Sequence, residues 1–123
     1  MAGVSKGAAG EILAARFLRD AGYQIITANF RTRFGEIDII AANDEYIVFV
    51  EVKSRAEDSR YMPREAVTAD KQRRIIKTAL LYIRRYPDTR QVRFDVIEVY
   101  LSDKDKPVKI EHIESAFTQS SFK

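Results

Sequence analysis

The amino-acid sequence predicts an α/β domain in which a mixed β-sheet is flanked by helices. Three observations lead to this fold class. Hydrophobic residues recur with helical and extended periods in the order helix, three strands, helix, and one or two strands. The chain has 123 residues, the size of one ordinary domain. Hydrophobic residues make up 46% of it, which is enough to form a core.

The first half begins with a predicted helix over residues 5–21. This segment is rich in Ala and Leu, Ser5 is a candidate N-cap, and Gly22 lies where the helix is expected to stop. Residues 23–28 form a short β-prone run, and residues 29–35 are interpreted as a turn that carries two arginines.

A hairpin and a second helix are predicted next. Residues 36–42 and 46–53 have the composition of strands, and the turn residues between them are few enough for antiparallel pairing. Residues 64–85 then change to helical spacing. The apolar side chains that recur at this spacing are Ala66, Ala69, Ile76, Ala79, Leu80 and Ile83.

The last predicted elements are a strand over residues 92–101 and an edge strand over residues 108–113. The segment that follows is rich in Ser, Thr and Gln. We therefore predict a single domain over residues 1–115 and a flexible C-terminal tail over residues 116–123.

Positive charge is concentrated in the middle of the chain. The net charge is +3, but residues 53–93 carry 12 Lys and Arg against 5 Asp and Glu, which gives this segment +7. Such a block is typical of a surface that contacts phosphate backbones. A solvated helix face would have a similar composition, so charge alone leaves both interpretations open.

Several classes of protein are disfavoured by composition. The absence of cysteine excludes disulfide scaffolds, thiol catalysis and cysteine-ligated zinc, and it is consistent with a reducing compartment. The sequence shows no secretory signal and no apolar stretch that could span a bilayer. We expect a cytoplasmic protein with no membrane partner.

Charged residues interrupt the two strands of the predicted hairpin. Because side chains alternate, Asp38 is expected to face away from Ile37 and Ile39, and Glu51 and Lys53 to share one side of the next strand. If the hairpin brings the strand ends together, the three charged side chains meet on one face. Burying charge among Ile, Val and Phe costs free energy unless the charges are paired or bind an ion.

A further acid, Glu11, falls on the apolar arc of the first helix together with Ala8 and Ala14. A carboxylate aimed at the sheet there indicates a role with the strand acids, although a buried salt bridge would also explain it. Asp38 as a surface acid, and Glu51 with Lys53 as a simple ion pair, are likewise open alternatives.

The chemistry that uses such a set is phosphodiester hydrolysis. Mg²⁺ prefers hard oxygen ligands, accepts one or two carboxylates, and takes the rest from water and phosphate. A lysine beside the carboxylates could help activate the attacking water or balance the charge that develops on the phosphate.

Two segments, Gly35–Ile40 and Val48–Arg55, resemble the signature of the bacterial YraN family. That family is related to Holliday-junction resolvases within the PD-(D/E)XK, restriction-endonuclease-like superfamily. The resemblance covers about residues 5–100. It also includes Gly10-Glu11, Gly22-Tyr23, Asn29, Glu65-Ala66-Val67, Lys71 and Arg93–Val96.

The resemblance implies a restriction-endonuclease-like three-layer core of order αβββαβ and a divalent cation, Mg²⁺ or Mn²⁺. By position, Asp38, Glu51 and Glu11 would be catalytic acids and metal ligands, helped by the carbonyl of Val52, and Lys53 would be the catalytic lysine.

Nucleic acid, most simply DNA, is the expected partner. The residues expected to contact it are Arg31, Arg33, Arg55, Arg60, Arg64, Lys71, Arg73, Arg74 and Lys77. The leading hypothesis is a Mg²⁺-dependent endonuclease acting on DNA that is branched or otherwise structured. The alternatives are a nucleic-acid-binding protein without turnover and a domain that docks an acidic protein. The oligomeric state is open, and a homodimer would suit an enzyme that cuts two strands.

Overall fold

The computed structural model of the chain describes residues 6–58 and 67–118. Within these ranges the chain forms two helices and five strands. In chain order they are α1 (Lys6–Asp20), β1 (Gln24–Thr32), β2 (Gly35–Ala42), β3 (Tyr46–Ala56), α2 (Ala69–Arg85), β4 (Gln91–Leu101) and β5 (Pro107–Phe117). Neither helix in this part of the chain combines the length and apolarity needed to cross a bilayer.

The strands form one mixed sheet in the order β1-β2-β3-β4-β5. β3 and β4 are parallel, and the other neighbouring pairs are antiparallel. The connection between β3 and β4 contains α2, because two parallel strands need a long crossover rather than a tight turn. The predicted hairpin of residues 36–42 and 46–53 is confirmed as the β2–β3 pair.

The two helices pack on opposite faces of the sheet. The α1-side cluster joins Ala14 and Leu18 of α1 to sheet residues that include Val48, Val50 and Ile97. The α2-side cluster contains the following buried residues: Ile75, Ile76, Ala79 and Tyr82 of α2, with Ile40, Ile47, Phe49 and Phe94 of the sheet. Successive β3 residues therefore alternate between the two clusters, as a strand buried on both faces requires. The three-layer αβββαβ core expected from the sequence is confirmed.

The predicted turn over residues 29–35 is wrong in its first half. β1 continues to Thr32 and pairs with the start of β2, so Arg33 and Phe34 alone make the turn. The Thr32 hydroxyl accepts a hydrogen bond from the Phe34 N–H at 3.1 Å and fixes this tight connection. The pairing supplies hydrogen-bond partners for a polar, arginine-containing segment that has little strand character of its own.

The second helix also departs from its predicted bounds. It begins at Ala69, and the Thr68 hydroxyl caps it by accepting the Lys71 N–H at 3.2 Å. Leu80, assigned to the buried face from its spacing, is 49% exposed, whereas Ile75 and Tyr82 are buried. The sheet covers an arc of the helix centred on these two residues rather than on Leu80. Residues 64–66 of the predicted helix lie outside the described ranges.

The last strand is longer than its predicted span of residues 108–113 and continues past residue 115, the end of the predicted domain. β5 runs to Phe117, and the Phe117 ring is buried against Phe94 with ring centroids 5.2 Å apart. Stacking on Phe94 holds Phe117 in the fold, although the Ser and Thr residues around it had indicated a flexible tail. The rest of that tail after Thr118, and the N-cap predicted at Ser5, lie outside the described residues.

A buried ion network ties β4 to β5. Arg93 donates to both Asp95 oxygens at 2.8 to 3.2 Å, and His112 Nε2 lies 2.7 Å from Asp95 Oδ2. The Ser115 N–H donates to the same carboxylate at 3.0 Å, and the hydrogen bonds to it hold the pKa of Asp95 below its usual range despite burial, which raises it. Because every partner is internal, this network, including the histidine, has a structural role.

Candidate active site

The candidate site lies where β2 separates from β3. Their antiparallel pairing ends at Ile39 and Val50, and the next residues outward are Asp38 and Glu51. The Val52 N–H, which faces β2, donates to Asp38 Oδ2 at 2.8 Å instead of to a backbone carbonyl. In an extended strand a residue's N–H and C=O face the same neighbour, so the Val52 carbonyl also faces this gap. The carboxylate therefore satisfies an amide that the parting strands would leave without a partner.

Glu51 is the centre of the charged cluster. It is only 5% exposed, and its Oε1 accepts from Lys71 Nζ at 2.7 Å and lies 3.6 Å from Lys53 Nζ. Lys53 follows two residues later on the same strand, whereas Lys71 reaches in from the first turns of α2. A buried carboxylate with two ammonium groups is stable only because the opposite charges lie at contact distance.

The ionisation of the cluster is strongly shifted. Burial and the neighbouring charge of Glu51 raise the pKa of Asp38 to about 7. Burial and the adjacent Lys71 lower the pKa of Lys53. Burial also opposes the charge on Lys71, but hydrogen bonds to Glu51 and Lys53 outweigh it and raise the pKa of Lys71. The cluster thus holds one firm ammonium group, Lys71, beside one that loses its proton more easily, Lys53.

Glu11 approaches the cluster from the α1 side. Burial and the charge of Glu36 raise its pKa, and the side chain of Asn29 opposes that shift. With its amide nitrogen towards the carboxylates, Asn29 donates to Glu11 Oε1 and to Glu36 Oε1, each at 3.0 Å. The opposite amide orientation would place oxygen against both carboxylates. Asn29 has φ of 55°, a left-handed conformation that Asn tolerates and that directs it to this position.

Gly10 allows α1 to lie close enough to the sheet for Glu11 to take part. A Cβ at this position would fall 2.0 Å from the Ser54 hydroxyl oxygen, closer than atoms can approach. On the other side, a Cβ on Gly35 would lie 3.3 Å from the Arg74 Cβ, so β2 and α2 are also in near contact. Both helices thus approach the sheet closely beside the acids.

The acids open into a cleft of about 470 Å³. Its lining residues are Gly35, Glu36, Asp38, Glu51, Thr68, Asp70, Lys71, Arg74 and Ile75. The cleft lies between β2 and the start of α2. Of the three residues predicted to meet, Asp38 and Glu51 line this cleft, whereas Lys53 is not in its lining and lies 3.6 Å from Glu51.

The donor set is compatible with a hard divalent cation. In residues 6–58 and 67–118 no three Asp, Glu, His or Cys side chains converge on one point. Mg²⁺ does not need three, because one or two carboxylates with a carbonyl, water and phosphate complete its shell. Asp38 and Glu51, with the carbonyl of Val52 facing the same gap, match this requirement. The ammonium of Lys71 now compensates the charge of Glu51, so cation binding there would displace it.

The residues expected to contact nucleic acid lie at different places relative to the cleft. Arg74 lines the cleft and pairs with Asp70 at 3.0 Å, whereas Arg31 is not in the lining but pairs with Glu36, which is, at 3.1 Å. Lys71 is inside the cleft. Arg33 and Lys77 lie on the outer surface over the Phe34 ring, and Arg73 is exposed on α2. Arg60 and Arg64 lie outside the described residues.

Arg55 lies differently from the expectation of a free loop cation. It is part of β3, and its Nε donates at 3.1 Å to Glu98, a fully buried glutamate of β4. Its side chain is 18% exposed. Parallel pairing places Lys53 directly beside Glu98, so the buried glutamate attracts both cations of the β3 end. Desolvation raises the pKa of Glu98, and Arg55 and Lys53 oppose the shift.

Two features of the site did not follow from the sequence. Asn29 links Glu11 to Glu36, and the only signal for Asn29 was its place in the predicted turn of residues 29–35. Strand alternation over residues 37–39 was also wrong, because Ile37 packs in the α2-side cluster and Ile39 in the α1-side cluster. Before Ile39 the strand pairs with β1 and no longer with β3.

Residues 10–99 of the chain match the uncharacterised protein family UPF0102. A UPF0102 protein of Syntrophus aciditrophicus is 49% identical over 112 residues, which cover 90% of this chain and 87% of the relative. A UPF0102 protein of Thermodesulfovibrio yellowstonii is 47% identical over 117 residues, covering 95% of this chain and 99% of the relative.

Proposed function

We propose a function from the site itself, because the chain belongs to the uncharacterised protein family UPF0102, whose description names no activity. Membership of this family, the YraN family, is predicted by the two strand motifs and is confirmed by the match over residues 10–99. The activity we propose is metal-dependent hydrolysis of phosphodiester bonds by an endonuclease acting on DNA.

One observation carries this proposal. Asp38 and the buried Glu51 share a cleft at the point where two strands part, and Lys53 Nζ lies 3.6 Å from Glu51. A protein that only bound nucleic acid would gain nothing from carboxylates facing a polyanion, because like charges repel. A cation between the carboxylates and a phosphate would remove that repulsion, and hydrolysis is the chemistry that such a cation supports.

The side chains have distinct roles in this proposal. Asp38 and Glu51 would hold Mg²⁺ or Mn²⁺, with the Val52 carbonyl and Glu11 at the margin. The cation, when bound, would supply charge that polarises the phosphate and favours ionisation of the attacking water. Lys53, whose pKa is lowered, would orient that water and exchange a proton with it. Lys71, displaced from Glu51, would contact a phosphate oxygen.

The test is a cleavage assay on duplex, single-stranded and four-way-junction DNA with Mg²⁺ or Mn²⁺. We expect product that a chelator abolishes, and a loss of at least about 100-fold in rate for Asp38→Ala, Glu51→Ala and Lys53→Ala. Asp44→Ala, which removes an exposed acid from the β2–β3 turn, is the matched control and should cleave normally. Cleavage retained by all three folded site variants would refute the site assignment.

A second candidate is supported by the contact between Lys71 and Glu51. At 2.7 Å the ammonium already neutralises the carboxylate, as in a fold that binds nucleic acid without a metal and without turnover. Calorimetry with Mn²⁺ separates the two candidates. The nuclease proposal expects binding by the wild-type protein that Glu51→Gln abolishes. A protein that binds DNA, takes up no Mn²⁺ and gives no product would favour the second candidate.

A further inference from the structure

A line of cationic residues runs along one face of α2 away from the cleft. Arg74, Lys77, Arg84 and Arg85 follow at spacings of three, seven and one residues, which places them on one arc of the helix. Arg74 borders the cleft at one end. At 1.5 Å per residue, Arg85 is about 16 Å from Arg74 along the helix axis.

This line ends in a second depression, which we call the distal groove. It has a volume of about 480 Å³ and lies between the end of α2 and β1. Its lining residues are Phe30, Arg31, Thr32, Leu81, Arg84, Arg85 and Tyr86. Arg31 also pairs with Glu36 of the cleft at 3.1 Å, so the two depressions adjoin.

The cations beyond Arg74 are not neutralised by the part of the protein that the structure describes. In residues 6–58 and 67–118 no carboxylate lies within ion-pair distance of Lys77, Arg84 or Arg85. Lys77 lies over the Phe34 ring at 5.5 Å, and Arg85 over the Tyr86 ring at 5.6 Å. These contacts orient the cations without cancelling their charge.

The floor of the groove is aromatic and rigid. Tyr86 is 49% exposed, yet its ring packs on the buried Tyr82 with centroids 5.0 Å apart. Tyr82 in turn contacts Phe30 edge to face at 5.2 Å. An exposed ring held in place by a buried one is a ready surface for a sugar or an unpaired base, because ordering it costs little entropy.

We propose that the distal groove binds the sugar–phosphate backbone of a nucleic-acid strand whose scissile phosphate lies in the cleft. That the partner is a nucleic acid rests on the proposed function. The groove is a new site, because Arg84, Arg85 and Tyr86 were not among the residues expected to bind nucleic acid. A strand of duplex DNA rises 3.4 Å per nucleotide, so about five nucleotides separate the two positions. Cations repeated over this length fit a polymer that carries one negative charge per unit. They fit a small, compact anion less well.

The test is binding without catalysis, measured by fluorescence anisotropy of labelled DNA of about 20 base pairs in the presence of a chelator. Arg84→Gln/Arg85→Gln is compared with Lys104→Gln/Lys106→Gln, which removes the same charge from the exposed β4–β5 turn. The slope of log affinity against log salt should fall by about 2 in the first variant, because two phosphate contacts are lost. The control variant should retain the wild-type slope.

The outcomes separate this proposal from the nuclease activity. DNA binding that needs Arg84 and Arg85, with no cleavage under any metal, would support the groove and refute the nuclease. Cleavage with an unchanged salt slope in the arginine variant, or an equal loss in the control, would overturn the groove. A labelled polyglutamate peptide is titrated in parallel. If the protein binds no DNA, and if it binds the peptide only when the two arginines are present, the groove is a docking site for an acidic protein. That result would overturn the proposal.

Discussion

Replacing Asp38 with Asn should stabilise the metal-free protein at neutral and alkaline pH. The folded protein holds the Asp38 proton up to about pH 7, whereas the ordinary pKa is 3.8. The folded state therefore binds more protons than the unfolded chain between these values, and wild-type stability falls as pH rises through this window. Asn keeps the shape, can still accept from the Val52 N–H, and carries no charge.

The size of the effect follows from the same shift. The difference of about 3 pKa units corresponds to about 4 kcal/mol, and solvent screening of a partly exposed group leaves about 2 kcal/mol or more. We expect Asp38→Asn to gain about 2 to 4 kcal/mol at pH 8 and no more than about 1.5 kcal/mol at pH 5. The groups that set this shift are Glu51 on β3, Glu11 on α1 and Lys71 on α2.

The assay is urea unfolding followed by circular dichroism at both pH values with a chelator. Asp44→Asn, in the exposed β2–β3 turn, is the control and should change stability equally at both. Adding Mn²⁺ at pH 8 should stabilise the wild type by linkage and leave Asp38→Asn nearly unchanged. An Asn variant that is less stable at pH 8, or whose gain is the same at both pH values, would refute the reasoning.

Two further predictions concern packing and the buried ion network. Gly10→Ala should cost about 1 to 3 kcal/mol because its Cβ meets the Ser54 hydroxyl at 2.0 Å, whereas Gly7→Ala, with nothing within 4 Å, should be neutral or stabilising by up to about 1 kcal/mol. Equal urea midpoints for the two variants would contradict the close approach of α1. Asp95→Ala should cost about 3 to 5 kcal/mol in urea unfolding, because it leaves the buried Arg93 with only the exposed Glu114 at 3.9 Å as a carboxylate partner, while any DNA binding at low temperature persists. A loss below about 1 kcal/mol would show that the arginine finds water instead.

Much of the fold could be predicted from the sequence because the central strands β2, β3 and β4 are buried on both faces. Residues 46–53 are nearly continuous apolar residues, and Glu51 and Lys53 stand out against them. A charge in such a strand is costly, so its presence indicated a site before any contact was known. The short turn and antiparallel pairing were enough to bring Glu51 towards Asp38, although the alternation assumed around Asp38 was wrong.

The remaining details depend on tertiary contacts that have no local signal. Lys71 was expected to contact a phosphate, but its 2.7 Å bond to Glu51 depends on where α2 lands on the sheet. Phe117 looked like part of a tail until Phe94 supplied a buried ring for it to pack against. The hydrogen bonds from Asn29 to Glu11 and Glu36 depend on a left-handed backbone conformation in an edge strand. The spacing of hydrophobic residues does not predict such a conformation.

The parting of β2 from β3 has a consequence for local dynamics. The Val52 amide is protected from exchange with solvent deuterium by a side chain, Asp38, rather than by a strand. Its exchange rate should therefore follow the occupancy of that carboxylate by a proton or a cation, while amides within the β3–β4 ladder exchange only through larger openings. One backbone amide of the native protein thus serves as a built-in reporter of what the site has bound, readable by NMR without a label at the site.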